Sequence, residues 1–94
     1  MKQSDGIAFI EGEYLPIAEA RIPITDWGFL RSDVTYDVVA VWRGGFFRLE
    51  DHLDRFFRSI EKLHMHSPHD RAEVASILTE CVRRSGLRES YVEM

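Results

Sequence analysis

The chain has 94 residues, of which 45% are hydrophobic and 12% aromatic, and this length predicts one small domain with enough apolar side chains to fold. Its formal net charge of −4 argues against a nucleic-acid-binding protein, which would need a basic face, and no apolar run approaches the ~20 residues of a membrane span. The N-terminus shows no apolar signal-peptide segment, and a single cysteine excludes an internal disulfide, so we expect a cytoplasmic protein.

The first part of the chain predicts two short strands joined by a tight turn. Residues 7–10 are apolar and read as a strand, and Gly12 suits a turn before a return strand that runs through Leu15. A connector bounded by prolines follows. Residues 26–28 then predict a second turn, because Asp and Gly flank a single tryptophan there.

The middle of the chain predicts a longer strand over residues 34–42. Side chains that are β-branched or aromatic dominate both of its faces, which is typical of a central strand. Residues 43–45 predict a hairpin turn, and residues 46–48 predict the returning strand. At the far end, residues 90–94 begin one more predicted strand.

Two amphipathic helices lie between these strands in the sequence. Apolar side chains recur at helical spacing over residues 50–64, and again over residues 71–84. Asp70 stands three residues before Glu73, as in a capping box, and Gly86 suits a left-handed cap at the other end. Together the elements predict an α+β domain with a mainly antiparallel sheet and two helices.

Arg55 is the first candidate functional residue. At about 100° per residue, it shares one flank of the first helix with His52 and Ser59, at the border between core and solvent. Its guanidinium is always charged and can bind a phosphate through two donors. The alternative is a surface arginine paired with Asp51 or Asp54, and spacing alone favours this alternative.

Three residues in and before the central strand are further candidates. Tyr36 and Val38 lie on one face of the predicted strand and could shape a pocket, with core packing as the alternative. Arg31 precedes the strand in a predicted loop, where residues often line binding sites, although most such residues are simply solvated.

The histidines and the cysteine predict no further chemistry. His64, His66 and His69 could bring three imidazoles together, but their spacing matches no known metal-ligand motif, so we expect no metal site. Cys81 falls on the apolar stripe of the second helix and predicts a buried side chain. The sequence contains no phosphate-cradling glycine-rich loop and no nucleophile elbow.

Several runs of residues, taken in order along the chain, resemble the N-terminal domain of the fold-type IV enzymes that use pyridoxal 5′-phosphate (PLP). This group, the class IV aminotransferases, includes branched-chain aminotransferases, D-amino-acid transaminases, (R)-selective amine transaminases and aminodeoxychorismate lyase. The runs are residues 9–14, 20–24, 26–29 and 47–55, with Ser59. Residues 32–38, together with Trp42 and residues 46–49, most resemble the (R)-selective amine transaminase branch.

The resemblance implies roles for the candidate residues. Arg55 matches the arginine that holds the PLP phosphate, which reverses the preference from spacing. Tyr36 and Val38 match substrate-pocket positions. Arg31 matches a position at the pocket mouth, where an arginine would favour carboxylated substrates. The implied reaction moves an amino group between an amine or amino acid and a keto acid or ketone, in a homodimer.

The resemblance also implies that the reacting groups lie outside this chain. In the family, the catalytic lysine and the carboxylate that pairs with the pyridine nitrogen belong to a second, larger domain. This chain contains only Lys2, in a terminal tail, and Lys62, and neither matches a catalytic position. We therefore expect residues 1–94 to form the small N-terminal domain, with no catalytic residue and no activity by itself.

Two other functions stay open from the sequence. One is a stand-alone, non-catalytic module that uses the same fold for association or ligand binding. The other is a relative of aminodeoxychorismate lyase, which uses PLP for elimination. An ending inside a predicted strand favours a piece of a longer enzyme over the stand-alone module, which should have a polar sheet edge.

Overall fold

The computed structural model describes residues 6–94 as five strands, three α-helices and one turn of 3₁₀-helix. The strands are β1 (Ile7–Ile10), β2 (Glu13–Pro16), β3 (Val38–Trp42), β4 (Gly45–Phe46) and β5 (Ser90–Glu93), and the helices are α1 (Trp27–Arg31), α2 (Leu49–Lys62) and α3 (Arg71–Ser85), with the 3₁₀ turn at Ile17–Glu19. The absence of a signal peptide and the terminal tail with Lys2 are predictions that lie outside the described residues.

Two antiparallel sheets confirm the predicted α+β class. One is the β1–β2 hairpin, and the other has the order β4-β3-β5. In the hairpin turn, Glu11 and Gly12 have φ values of 51° and 83°, as a tight two-residue turn requires. The rings of Phe9 and Tyr14, which face each other across the hairpin, lie 4.9 Å apart. Helix α3 packs against β1.

Strand β3 is the central strand, as predicted, but it begins at Val38 rather than at residue 34. Within residues 34–37, which the prediction included in the strand, Asp37 alone pairs with the sheet: its N–H and C=O bond the backbone of Met94 at 2.9 and 2.8 Å. Val39 and Val41 are buried on the face that α2 covers. The opposite face is more open, and Trp42 there is 62% exposed.

Helix α1 corrects the prediction of a turn at residues 26–28. Asp26 caps the helix, because its Oδ2 accepts hydrogen bonds from the N–H groups of Gly28 and Phe29. The helix ends at Ser32, whose φ is 56°. Five residues are too few to show helical periodicity, so the sequence pattern could not distinguish this helix from a turn.

The two longer helices confirm the amphipathic pattern, with ends that differ slightly from those predicted. Leu53 of α2 is 1% exposed. At α3 the capping box of Asp70 and Glu73 is formed in both directions, and Gly86 ends the helix in the left-handed conformation. Cys81 is buried, and this burial raises the pKa of its thiol. Within residues 6–94, none of the helices has the length and hydropathy that crossing a bilayer requires.

Candidate functional site

Three side chains form an ionic cluster around one buried carboxylate, which we call the Asp37 cluster: Asp37 and, from α2, His52 and Arg55. Asp37 is only 5% exposed. Its Oδ2 accepts a hydrogen bond from Arg55 Nε at 2.6 Å, and its Oδ1 accepts one from Arg55 Nη2 at 2.9 Å. Oδ1 also lies 2.7 Å from His52 Nδ1 and accepts from the Val38 N–H at 3.0 Å.

Helical spacing and the position of β3 together form this cluster. His52 and Arg55 are three residues apart on α2 and so project on the same flank, as predicted. Asp37 immediately precedes β3, and its side chain is on the same face as the buried Val39 and Val41. Because α2 packs on β3, the carboxylate meets both helix side chains.

The alternative prediction, that Arg55 pairs with Asp51 or Asp54, is wrong. Asp51 bonds Arg48 at 2.7 Å, and Asp54 bonds Arg71 of α3 at 2.6 Å. Both pairs are exposed and lie along or between helices, whereas Arg55 reaches across to the sheet. The nearest carboxylates in the sequence are therefore not the nearest in space.

The cluster keeps Asp37 ionised. The hydrogen bonds from Arg55 are the largest influence and hold the pKa of Asp37 well below its usual range, against the raising effect of burial. The hydrogen bond with His52 and the positive charge of Arg55 act in the same direction. An ionised carboxylate can only accept a hydrogen bond, so Nδ1 of His52 is the donor in its 2.7 Å contact with Oδ1. The pKa of Arg55 is raised in turn by its bond to Asp37.

Arg55 keeps donors for another anion. Its side chain is 63% exposed, and the edge formed by Nε and Nη2 faces Asp37. A guanidinium has five N–H groups in a fixed plane, so the end formed by Nη1 and the second N–H of Nη2 is left over. Within residues 6–94, Nη1 donates no hydrogen bond. Two parallel donors on an exposed edge fit two oxygens of a phosphate.

The other predicted site residues lie at the surface. Tyr36 is 65% exposed, which excludes core packing, and Val38 is half-buried. The guanidinium of Arg31, at the end of α1, lies 5.0 Å from the centre of the Trp27 ring. None of these three lines either of two clefts of the described chain, one of about 480 Å³ between β1, α3 and β5 and one of about 510 Å³ beside Trp42 and Tyr91. Arg55 lines neither cleft either, so neither of these two clefts joins the three residues to Arg55.

Asp37 is the functional candidate that sequence reasoning missed. The sequence pattern places it on one face of the predicted strand with Val39 and Val41 and assigns it no role. A carboxylate on a face that is otherwise apolar needs a charged partner, because an unpaired buried charge is strongly unfavourable. That requirement was the available indication of a partner on α2.

His69 and Lys62 lie outside the Asp37 cluster. Nδ1 of His69 lies 3.6 Å from a Glu73 carboxylate oxygen, and its ring contacts Phe9. In the described part of the chain, no three His, Cys, Asp or Glu side chains group so that they could hold a metal. Lys62 is the last residue of α2.

Comparisons with known proteins agree on one family. The family model described as amino-transferase class IV matches residues 35–94. The D-alanine aminotransferase of Listeria monocytogenes serotype 4b is 28% identical over 74 residues, which are 79% of this chain and 26% of that protein. A T.th. branched-chain amino acid aminotransferase with pyridoxamine 5′-phosphate is 26% identical, with a TM-score of 0.83 over 94% of this chain and 30% of that one. The chain thus spans less than a third of the length of these relatives.

Proposed function

Because this chain belongs to the class IV aminotransferase family, we propose that residues 1–94 are the small N-terminal domain of a PLP-dependent aminotransferase. The complete enzyme would move an amino group between an amine or amino acid and a keto acid or ketone. The lysine and the partner of the pyridine nitrogen would come from a second domain. The exposed donor edge of Arg55 is the observation that carries the proposal, because it fits the phosphate that PLP would bring.

Arg55 would bind two phosphate oxygens through Nη1 and Nη2. When bound in the complete enzyme, PLP supplies an electron sink for the amino-group transfer. Tyr36 and Val38 would form part of one wall of the substrate pocket. Arg31 would lie at the mouth of that pocket, where its positive charge could attract the carboxylate of an amino acid or keto acid.

Relatives named for D-alanine and branched-chain amino acids support amino acids and keto acids as substrates. Simple amines and ketones are a second substrate class, which the likeness of residues 32–38 to the (R)-selective amine transaminases supports. Exposed apolar side chains support a homodimer, and the single buried, unpaired Cys81 supports the cytoplasm. No observation favours the stand-alone module or the lyase.

The first experiment replaces Arg55 with alanine in the full-length protein that includes this chain. We expect the dissociation constant for PLP to rise by about 10- to 100-fold, since a pair of charge-assisted hydrogen bonds is lost. Equilibrium dialysis of the purified apoprotein against PLP measures it. Arg58→Ala is the matched control, because Arg58 is exposed on the same helix. Equal PLP affinity in the two variants would contradict the assignment.

A further inference from the structure

Arg55 donates hydrogen bonds from two of its five N–H groups to a buried carboxylate of its own chain, that of Asp37. This arrangement is unexpected for a residue whose proposed task is to attract a phosphate. A negative charge 2.6 to 2.9 Å from the guanidinium partly cancels the field that draws the phosphate in. Asp37 therefore either weakens the binding of the phosphate by Arg55, or offsets this loss by holding Arg55 in a favourable geometry.

We propose that Asp37 is a positioning residue, which fixes the guanidinium of Arg55 so that its outer edge is presented to the PLP phosphate. The inference rests on the proposed function. Asp37 would favour phosphate binding by restricting the orientation of Arg55. Without Asp37, the exposed side chain of Arg55 would sample many rotamers, and few of them would direct two donors at one phosphate.

The geometry of the contact supports this role. Asp37 binds the side of the guanidinium through Nε and Nη2, and this bidentate contact fixes the plane as well as the position of the group. The remaining edge, Nη1 with the second N–H of Nη2, then points away from the carboxylate. A single hydrogen bond would have left the plane free to rotate.

The carboxylate is itself held in place. The Val38 N–H and His52 Nδ1 both bond Oδ1, from the strand and from the helix respectively. Asp37 is 5% exposed, so water does not compete for its oxygens as it would at the surface. The rigid sheet thus fixes Asp37, and Asp37 fixes Arg55, which is the order expected of a supporting contact behind a ligand-binding residue.

The test compares Asp37→Asn with the parent in the full-length protein. Asparagine keeps the shape of the side chain but removes the charge. If Asp37 positions Arg55, the dissociation constant for PLP should rise by about tenfold, as for the loss of one good hydrogen bond. If Asp37 instead competes with the phosphate, the affinity for PLP should rise. Unchanged or tighter PLP binding would overturn the proposal.

A second ligand separates positioning from general damage to the fold. Pyridoxal lacks the phosphate, so its dissociation constant should be the same in Asp37→Asn and in the parent. A distorted domain would weaken both ligands equally, and that result would also overturn the proposal. Leu78→Ala, which leaves a gap in the core at α3, is the control for lost stability.

Arg55→Lys tests orientation even if Asp37→Asn does not fold. Lysine keeps the charge, but its ammonium group cannot bind Asp37 and present a planar pair of donors at the same time. We expect PLP binding about tenfold weaker than in the parent, and parent-like binding would refute the role of orientation.

Arg55→Ala and a double variant distinguish phosphate binding by Arg55 from positioning of Arg55 by Asp37. In an Arg55→Ala background, Asp37→Asn should cause no further loss of PLP affinity, because Asp37 acts through Arg55. If Arg55→Ala itself has no effect, the phosphate assignment fails and this inference with it. If Arg55→Ala weakens PLP binding but Asp37→Asn does not, only the present inference fails.

Discussion

Asp37 is buried and ionised, and this combination makes it a source of acid sensitivity. Its pKa in the folded chain is held well below the value of about 3.9 expected in the unfolded chain. A lowered folded pKa contributes stability that is fully present above the unfolded pKa and is lost as the pH falls toward the folded pKa. The contribution of Asp37 should therefore decline from about pH 4 downward.

We predict that Asp37→Asn flattens this acid decline. At neutral pH the variant should be less stable by about 1–3 kcal/mol, because the ionic hydrogen bonds are lost, and the difference from the parent should narrow steadily as the pH falls below about 4. Urea unfolding at a series of pH values measures it. Glu61→Gln, on the exposed side of α2, is the control and should keep the parental profile. A difference that stays constant as the pH falls would contradict the prediction.

At the scale of single residues, the sequence predicted which side of a helix a side chain occupies better than it predicted the ion-pair partner of that side chain. The positions of His52 and Arg55 on one flank of α2 followed from the 3.6-residue period alone. The partner did not, because Asp37 is 18 residues away from Arg55 and meets it only through the packing of α2 on β3. The same packing left Tyr36 exposed, where its residue type had allowed a place in the core.

At the scale of elements, helix α3 depends on the reciprocal cap at its N-terminus. The Asp70 carboxylate accepts from the Glu73 N–H at 2.8 Å, and the Glu73 carboxylate accepts from the Asp70 N–H at 3.1 Å. Asp70→Ala should lower the free energy of unfolding by about 1 kcal/mol, measured by urea denaturation. Asp70→Asn is the matched control and should lose much less, since the amide oxygen can still accept. Equal losses in both variants would show that the cap is not the cause.

The elements that could be predicted are those with a periodic pattern of apolar residues or a recognisable helix-capping motif. Both long helices and the capping box were predicted because apolar spacing and Asp70 with Glu73 are local properties. The short helix α1 was not, because Asp26 is common in turns as well as in helix caps. Strand β3 is shorter than predicted because residues 34–36 have strand-like side chains without a neighbouring strand to pair with among the described residues.

At the scale of the molecule, residues 6–94 cover the three-stranded sheet on one face only. Its inner face packs against α2 and buries Val39 and Val41. Its outer face carries large aromatic side chains in the open, namely Trp42 at 62%, Phe47 at 63% and Tyr91 at 79% exposure. These three also line the cleft on that face. An aromatic patch of this kind is typical of a surface that is covered in the working assembly.

We therefore predict that the 94-residue chain associates with itself in solution through the outer face. Trp42→Lys combined with Tyr91→Lys should shift the chain toward monomer, because two charges placed in the patch resist burial. Sedimentation velocity over a concentration series measures the change. Ala72→Lys combined with Ser76→Lys is the matched control, since it adds the same charge on the exposed side of α3 and should leave association unchanged. A parent chain that stays monomeric across the series, or a control that dissociates equally, would show that the outer face does not drive assembly.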